Sequence, residues 1–266
     1  SYFMRLSLAL IFCLVAATGF MTKPKSPKLI WSDEFEYTGL PDSTKWSYDL
    51  GTGPPEDWGN QELEYYTRNA KNARVENGKL IIEAHQEPLG GKNFTSARLV
   101  TRGKADWKNV RIDIRAKVAS GKGTWSAIWM MPVVKQYGEW PACGEIDIME
   151  HVGFNPQQVH GTIHTQLYNH LIGTQKEGII QVPDATDVFH VYSLDWKPDR
   201  LDFLVDGKIF QTVTKAESDD FRGWPFDQQF YLVMNLAVGG GWGGRQGVDT
   251  SIWPRQMEVD YVRVYR

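Results

Sequence analysis

Long apolar runs, cysteine and an excess of positive charge are what this 266-residue sequence has least of. Its one uninterrupted apolar stretch, residues 8–17 (LALIFCLVAA), falls well short of the ~20 residues a helix needs to cross a bilayer, which excludes a multi-span membrane protein. Arg5 precedes that stretch; the small residues Ala16, Ala17, Thr18 and Gly19 follow it, ahead of the Pro- and Lys-rich residues 23–28. This order is the grammar of a secretory leader. We therefore expect a signal peptide over residues 1–21, a linker over 22–28 and one catalytic domain over 29–266. The protein is expected to be secreted, extracellular or periplasmic, with no membrane attachment once the leader is gone. Phe12 stands before Cys13, where a lipoprotein signal carries a small residue, which argues against lipidation. Cys13 leaves with the leader and Cys143 remains alone, so no internal disulfide forms and the core must hold the fold. With 29 Lys and Arg against 32 Asp and Glu, and no local cluster of bases, nucleic acid is a poor partner.

Sustained helical spacing is also missing. Short alternating runs take its place: residues 79–84 (KLIIEA), 96–101 (SARLVT), 110–117 (VRIDIRAK), 191–196 (VYSLDW), 200–205 (RLDFLV) and 258–265 (EVDYVRVY). Alternate positions are β-branched or aromatic, and Gly, Asn, Asp or Pro punctuates the runs, so they predict strands. Asn77-Gly78 and Asp206-Gly207 are tight-turn signals. Many short strands without helices between them predict an all-β antiparallel sandwich, a jelly roll, one face of which can curve into a groove. No repeat and no second domain is visible. Asn93-Phe94-Thr95 is a glycosylation sequon, meaningful where the host glycosylates exported chains. Tryptophan, by contrast, is abundant at eleven residues, and residues 50–59 and 237–247 read as loops that each contain one.

The most informative stretch is residues 144–153, GEIDIMEHVG. In a strand, Glu145 and Asp147 point to one face, Ile146 and Ile148 to the other. Unbroken alternation would then bury Glu150 beside the isoleucines at a cost of several kcal/mol. One extra residue, a β-bulge, resolves the conflict and returns Glu150 to the face of Glu145 and Asp147. Adjacent like charges on a strand repel, so a purely structural role is the weaker reading. Glycoside hydrolysis needs paired carboxyl groups, one of them protonated and the other ionised, and crowding drives their proton affinities apart. If Asp147 is the charged neighbour that holds the proton on Glu150, Asp147→Asn should move the alkaline limb of activity to lower pH; a protonated Asp147 donating to Glu145 would act in the opposite direction.

Just upstream, residues 123–132 (GTWSAIWMMP) put Trp125, Ala127, Trp129 and Met131 on one strand face. A platform for the apolar face of a sugar ring and a pair of core indoles fit this stretch equally, and Trp58, Trp140 and Trp242 in Gly- or Pro-rich loops favour the platform. His164, in HGTIHT, can serve an acid on a neighbouring strand or be structural. His151, His160 and His164 lack zinc-site spacing, residues 239–244 lack the Lys-Ser/Thr ending of a phosphate loop, and Ser126 has no nucleophile elbow.

These motifs together resemble the laminarinase-like members of glycoside hydrolase family 16, the endo-β-1,3-glucanases, over roughly residues 29–266. The likeness is carried by WSDEF at 31–35, WGNQELEYYT at 58–67, SARLVT, GTWSAIWMMP, GEIDIMEHVG, HGTIHT, NLAVGGGWGG at 235–244 and DYVRVY at 260–265. The resemblance implies a jelly roll with a concave cleft, Glu145 as nucleophile, Glu150 as acid/base and Asp147 assisting between them. The spacing E-x-D-x-x-E is the laminarinase form, which favours β-1,3-glucan. It likewise implies Asn60, Glu64, Arg98, Trp125, Trp129, His164 and Trp242 as cleft residues for glucosyl units. No cofactor is expected for catalysis; relatives often hold a structural calcium, and the matching positions are Glu34, Gly78 and Asp260. The expectation is thus a monomeric, retaining endo-hydrolase of laminarin-type β-1,3-glucan, with some action on mixed-linked β-1,3/1,4-glucan. The alternatives are a non-catalytic β-glucan-binding protein, set second because all three acids are present, and a relative acting on another marine or plant galactan.

Overall fold

The alternating runs do form strands. The computed structural model describes residues 26–266, so the expected leader and the first residues of the linker lie outside the described residues. In chain order the strands are β1 (Leu29–Asp33), β2 (Ser47–Asp49), β3 (Glu64–Tyr66), β4 (Ala73–Glu76), β5 (Lys79–Leu89), β6 (Lys92–Ser96), β7 (Arg98–Val100), β8 (Arg111–Lys117) and β9 (Thr124–Pro132). They continue as β10 (Glu145–Val152), β11 (Gln158–His164), β12 (Lys176–Gln181), β13 (His190–Lys197), β14 (Arg200–Val205), β15 (Lys208–Thr214), β16 (Phe230–Val238) and β17 (Arg255–Tyr265). One short 3₁₀ turn, Glu56–Gly59, is the sole helical element among the described residues.

Two sheets stack face to face. The larger has ten strands along the path β15-β14-β13-β8-β17-β5-β6-β3, with β1 added on β17 and β4 on β5. The smaller has seven, in the order β12-β11-β10-β9-β16-β7-β2. Ile112, Ile114, Tyr192, Leu194, Phe203, Val259 and Val262 of the larger sheet meet Leu99, Ile128, Met130, Ile146, Ile163, Leu232 and Met234 of the smaller in one continuous core. Because period-two alternation buries one face of each strand, the opposite face of the smaller sheet is left for function.

Both turn signals hold: Asn77 (φ 53°) and Gly78 (φ 75°) join β4 to β5, and Asp206 (φ 49°) and Gly207 (φ 78°) join β14 to β15. Such consecutive left-handed residues match the twist of the flanking strands. Residues 96–101 depart from the single strand expected. Ser96 ends β6 in the larger sheet and Arg98 begins β7 in the smaller, with the fully buried Ala97 at the crossing. A small side chain suits this point, where the chain passes through the interior between sheets. Asn93 of the sequon is exposed on β6.

Candidate active site

The bulge predicted from the acidic strand is present. Asp147 opposes Trp129 on β9 while Met149 opposes Ile128, so Ile148 is the extra residue, and the same shift appears against β11 between Asp147 and Glu150. Ile146, Ile148 and Met149 all enter the core, and Glu150 returns to the face of Glu145 and Asp147, opposite Ala127 and His160. The local conflict between alternation and burial is thereby removed.

Each acid has a distinct environment. Trp140, from the loop before β10, donates its Nε1–H to Glu145 Oε2 at 2.6 Å. Trp125 donates to Glu150 Oε1 at 3.2 Å. Asp147 is buried, with its Oδ2 3.3 Å from His164 Nε2. Burial, followed by the charge of Glu145, pushes the Glu150 carboxyl up to about 8. Asp147 is held well above the carboxylate range, first by burial, then by Glu145 and Glu150, with a hydrogen bond to Glu145 that also favours its protonated form. Burial depresses His164, so its imidazole is neutral near pH 7. Of the two states that the sequence leaves open for Asp147, burial favours the protonated one, in which it donates to Glu145, because it is the most deeply buried of the three acids.

Both indoles of β9 turn out to be half-buried on the concave face rather than core residues. Trp129 Nε1 donates to Asn235 Oδ1 at 2.7 Å, and Asn235 donates on to the Tyr66 hydroxyl. Arg98 is clasped between aromatic rings, 4.4 Å from the Trp58 ring centre and 4.8 Å from that of Trp129, and its Nε donates to Asp49. Trp242 lies edge-on to Trp125 at 5.6 Å, and Asn60 holds its loop by accepting from the Gly241 N–H at 2.7 Å. The eleven tryptophans thus divide in two: Trp31, Trp46, Trp107, Trp196, Trp224 and Trp253 belong to the core, while Trp58, Trp125, Trp129, Trp140 and Trp242 surround the acids and Arg98.

Glu64 does not line the cleft. It is fully buried, accepts the Val238 N–H at 2.9 Å, and is held protonated by burial, so it ties β3 to the end of β16. The resemblance assigns it to the cleft, whereas its carboxylate here bonds the backbone at the end of β16. Reasoning from residues also missed the bond from Trp140 to Glu145, and the pairing of His160 with Glu177. No local signal marks these contacts, since each joins residues from a loop or a different strand.

Two of the positions expected to bind calcium, Glu34 and Asp260, are engaged by guanidinium groups. Both Glu34 oxygens are taken by Arg263, at 2.9 and 2.8 Å, and that guanidinium lowers its carboxyl below the usual range. Asp260, displaced outward at a bulge in β17, pairs with Arg115 at 2.8 Å. A calcium ion held here would have to displace Arg263 and Arg115 from these two carboxylates. Among the described residues, the one convergent set of His, Asp and Glu ligand atoms is Glu145, Asp147 and His164, the site of the acids themselves.

A concave sheet face with three carboxyl groups in graded environments and a surround of indoles has the chemistry of glycoside cleavage. The profile described as Glycosyl hydrolases family 16 matches residues 60–263. The β-glucanase of Rhodothermus marinus is 55% identical over 265 residues, covering 97% of this chain and 91% of that protein. The X-ray structure of the laminarinase from Rhodothermus marinus superposes with a TM-score of 0.88 at 55% identity, covering 91% of this chain and 99% of that one. A mutant of SCLam, a non-specific endo-β-1,3(4)-glucanase that presents 1,3-β-D-cellobiosyl-glucose at its active site, superposes with a TM-score of 0.87 at 47% identity, covering 92% and 97% of the two chains. In sequence, in fold and in the acidic strand at its centre, this chain belongs to glycoside hydrolase family 16.

Proposed function

We propose that the chain is a secreted, monomeric, retaining endo-hydrolase of β-1,3-linked glucan such as laminarin, with tolerance of mixed β-1,3/1,4 chains. The observation that carries this reading is the bulged strand: one extra residue sets Glu145 and Glu150 on the concave face, each hydrogen-bonded by a different indole. Glu150, protonated at neutral pH, gives its proton to the glycosidic oxygen as the bond to the anomeric carbon breaks. Glu145, held through Oε2 by Trp140, attacks that carbon with its other oxygen and forms the glycosyl-enzyme. Water, losing a proton to Glu150, then releases the sugar with its configuration retained. The leader-like residues 1–21 support export, and the glucanases among the relatives support the linkage.

Incubation with laminarin should release reducing ends, and proton NMR of the first product should show the β-anomer. No release above buffer would leave the chain a glucan-binding module. Activity should be bell-shaped in pH, falling on the alkaline side as Glu150 loses its proton through about 8. Because Asp147 is already uncharged, Asp147→Asn should leave that alkaline limb in place while lowering kcat through loss of the O–H donor to Glu145. A limb displaced to lower pH would show instead that Asp147 is ionised.

Trp129 links sugar stacking to the order of its neighbours, since its ring carries Arg98 and its N–H holds Asn235. Trp129→Ala should weaken laminari-oligosaccharide binding and cost about 1–3 kcal/mol in stability, less than the 3–5 kcal/mol expected of a core tryptophan. Titration calorimetry and a thermal melt read the two effects; lost stability with unchanged affinity would confine the ring to packing.

A further inference from the structure

Beside Glu150, two strands and the loop after β16 carry side chains that the reaction as drawn does not use. His160 of β11 stands directly opposite Glu150 in the ladder with β10, and such same-face pairs have Cβ atoms about 4.5–5.5 Å apart. Glu177 of β12, opposite Thr162 and so one diagonal step from His160, hydrogen-bonds His160 Nδ1. Trp242 packs edge-on against His160 at 4.8 Å and against Trp125 at 5.6 Å, and Trp125 in turn donates to Glu150. Glu150 is therefore framed by Trp125, Trp242 and His160, and Glu177 on the edge strand fixes the imidazole of that frame.

We propose that Glu177, acting through His160, is a positioning residue for Glu150: it locks the imidazole against which the acid stands and supplies a fixed negative charge that keeps the proton on that acid. This rests on the reading of Glu150 as acid/base. The titratable groups around Glu150 are Glu145 and Asp147 on its own strand, His160 and His164 on β11, Glu177 on β12, and Glu62 from the segment before β3. Burial lifts Asp147 well above the carboxylate range and Glu62 to about 8, so Glu62 titrates alongside Glu150, and it depresses His164. Glu177 differs: its hydrogen bond from His160 pulls it below the ordinary carboxylate range, so it is an anion wherever the enzyme works. Its charge opposes proton loss from Glu150, and with 30% of its side chain exposed on an edge strand it makes a small contribution to packing. Glu145 also bears on Glu150, but its charge is consumed when the glycosyl-enzyme forms. Glu177 keeps its charge through both halves of the reaction.

The test is the pH profile of kcat/KM on laminarin for the parent, Glu177→Gln and Glu177→Asp. Removing the charge in Glu177→Gln should move the alkaline limb to lower pH by roughly half a unit, the size expected of a partly screened charge two strands away. Glu177→Asp, which retains the charge, should keep the limb within about half that displacement. A folded, active Glu177→Gln whose limb does not move, whatever its melting temperature, overturns the proposal and leaves Glu177 a strand-pairing residue. A parent that releases no reducing ends would instead overturn the functional reading, so the two failures are distinct.

Discussion

Glu145→Ser should lower kcat on laminarin by at least about 10⁴-fold, the scale on which losing a covalent nucleophile is felt, while the protein stays folded and binds glucan. The side chain is half-buried at the start of β10 on the concave face, and its one hydrogen bond given by a side-chain N–H comes from Trp140. Truncation opens no core cavity, because Ile146 and Ile148 on the other face carry the packing of this strand. It also removes a negative charge beside Asp147 and Glu150, relieving rather than adding repulsion. The check is turnover measured alongside a thermal melt and oligosaccharide titration. Activity within about tenfold of the parent would show that another carboxylate is the nucleophile, because the remaining machinery supplies no covalent path.

Gly153→Ala should be strongly destabilising. Gly153 follows the last residue of β10, and a Cβ there would lie 1.7 Å from the Gly121 carbonyl oxygen and 2.4 Å from Thr124 Oγ1. Neither can step aside: Gly121 O accepts the Thr124 hydroxyl at 2.8 Å, and the Gly153 N–H is bonded to Thr124 O at 2.9 Å. The backbone must move, so the cost should reach or exceed the ~3 kcal/mol upper end of ordinary overpacking, about 6–12 °C in Tm for a domain of this size. Activity should fall with it. Thr124 begins β9, and a displaced β9 start moves Trp125, paired with Val152, away from the Glu150 oxygen it bonds at 3.2 Å. A melting temperature within about 2 °C of the parent would mean that the 121–124 turn is far more yielding than its hydrogen bonds indicate.

What the sequence determined by itself was whatever depends on near neighbours in the chain. Alternation with a period of two marked β5, β8, β13, β14 and β17, because the pleat sends successive side chains to opposite faces whatever the partner strand. The two Gly-containing turns were legible because left-handed backbone has few tolerant residue pairs. Even the bulge at Ile148 was readable, since GEIDIMEHVG cannot keep strict alternation without burying Glu150. Tertiary structure alone decided the rest. The chain changes sheet at Ala97 inside a run that reads as one strand, because nothing local distinguishes a strand from two collinear pieces in different sheets. Glu64 stands at a position that the resemblance assigns to the cleft and is nevertheless buried, accepting the Val238 N–H from 174 positions along the chain. Asp147 and Glu150 share a motif and a face, yet their proton affinities follow from how much of β9, β11 and β12 covers each, because desolvation is set by neighbours that the strand does not choose. For the same reason Glu34 and Asp260, acids of the right type for an oxygen-coordinated ion, are ion-paired instead: Arg263 and Arg115 reach them across the sheet, and that encounter exists only in three dimensions.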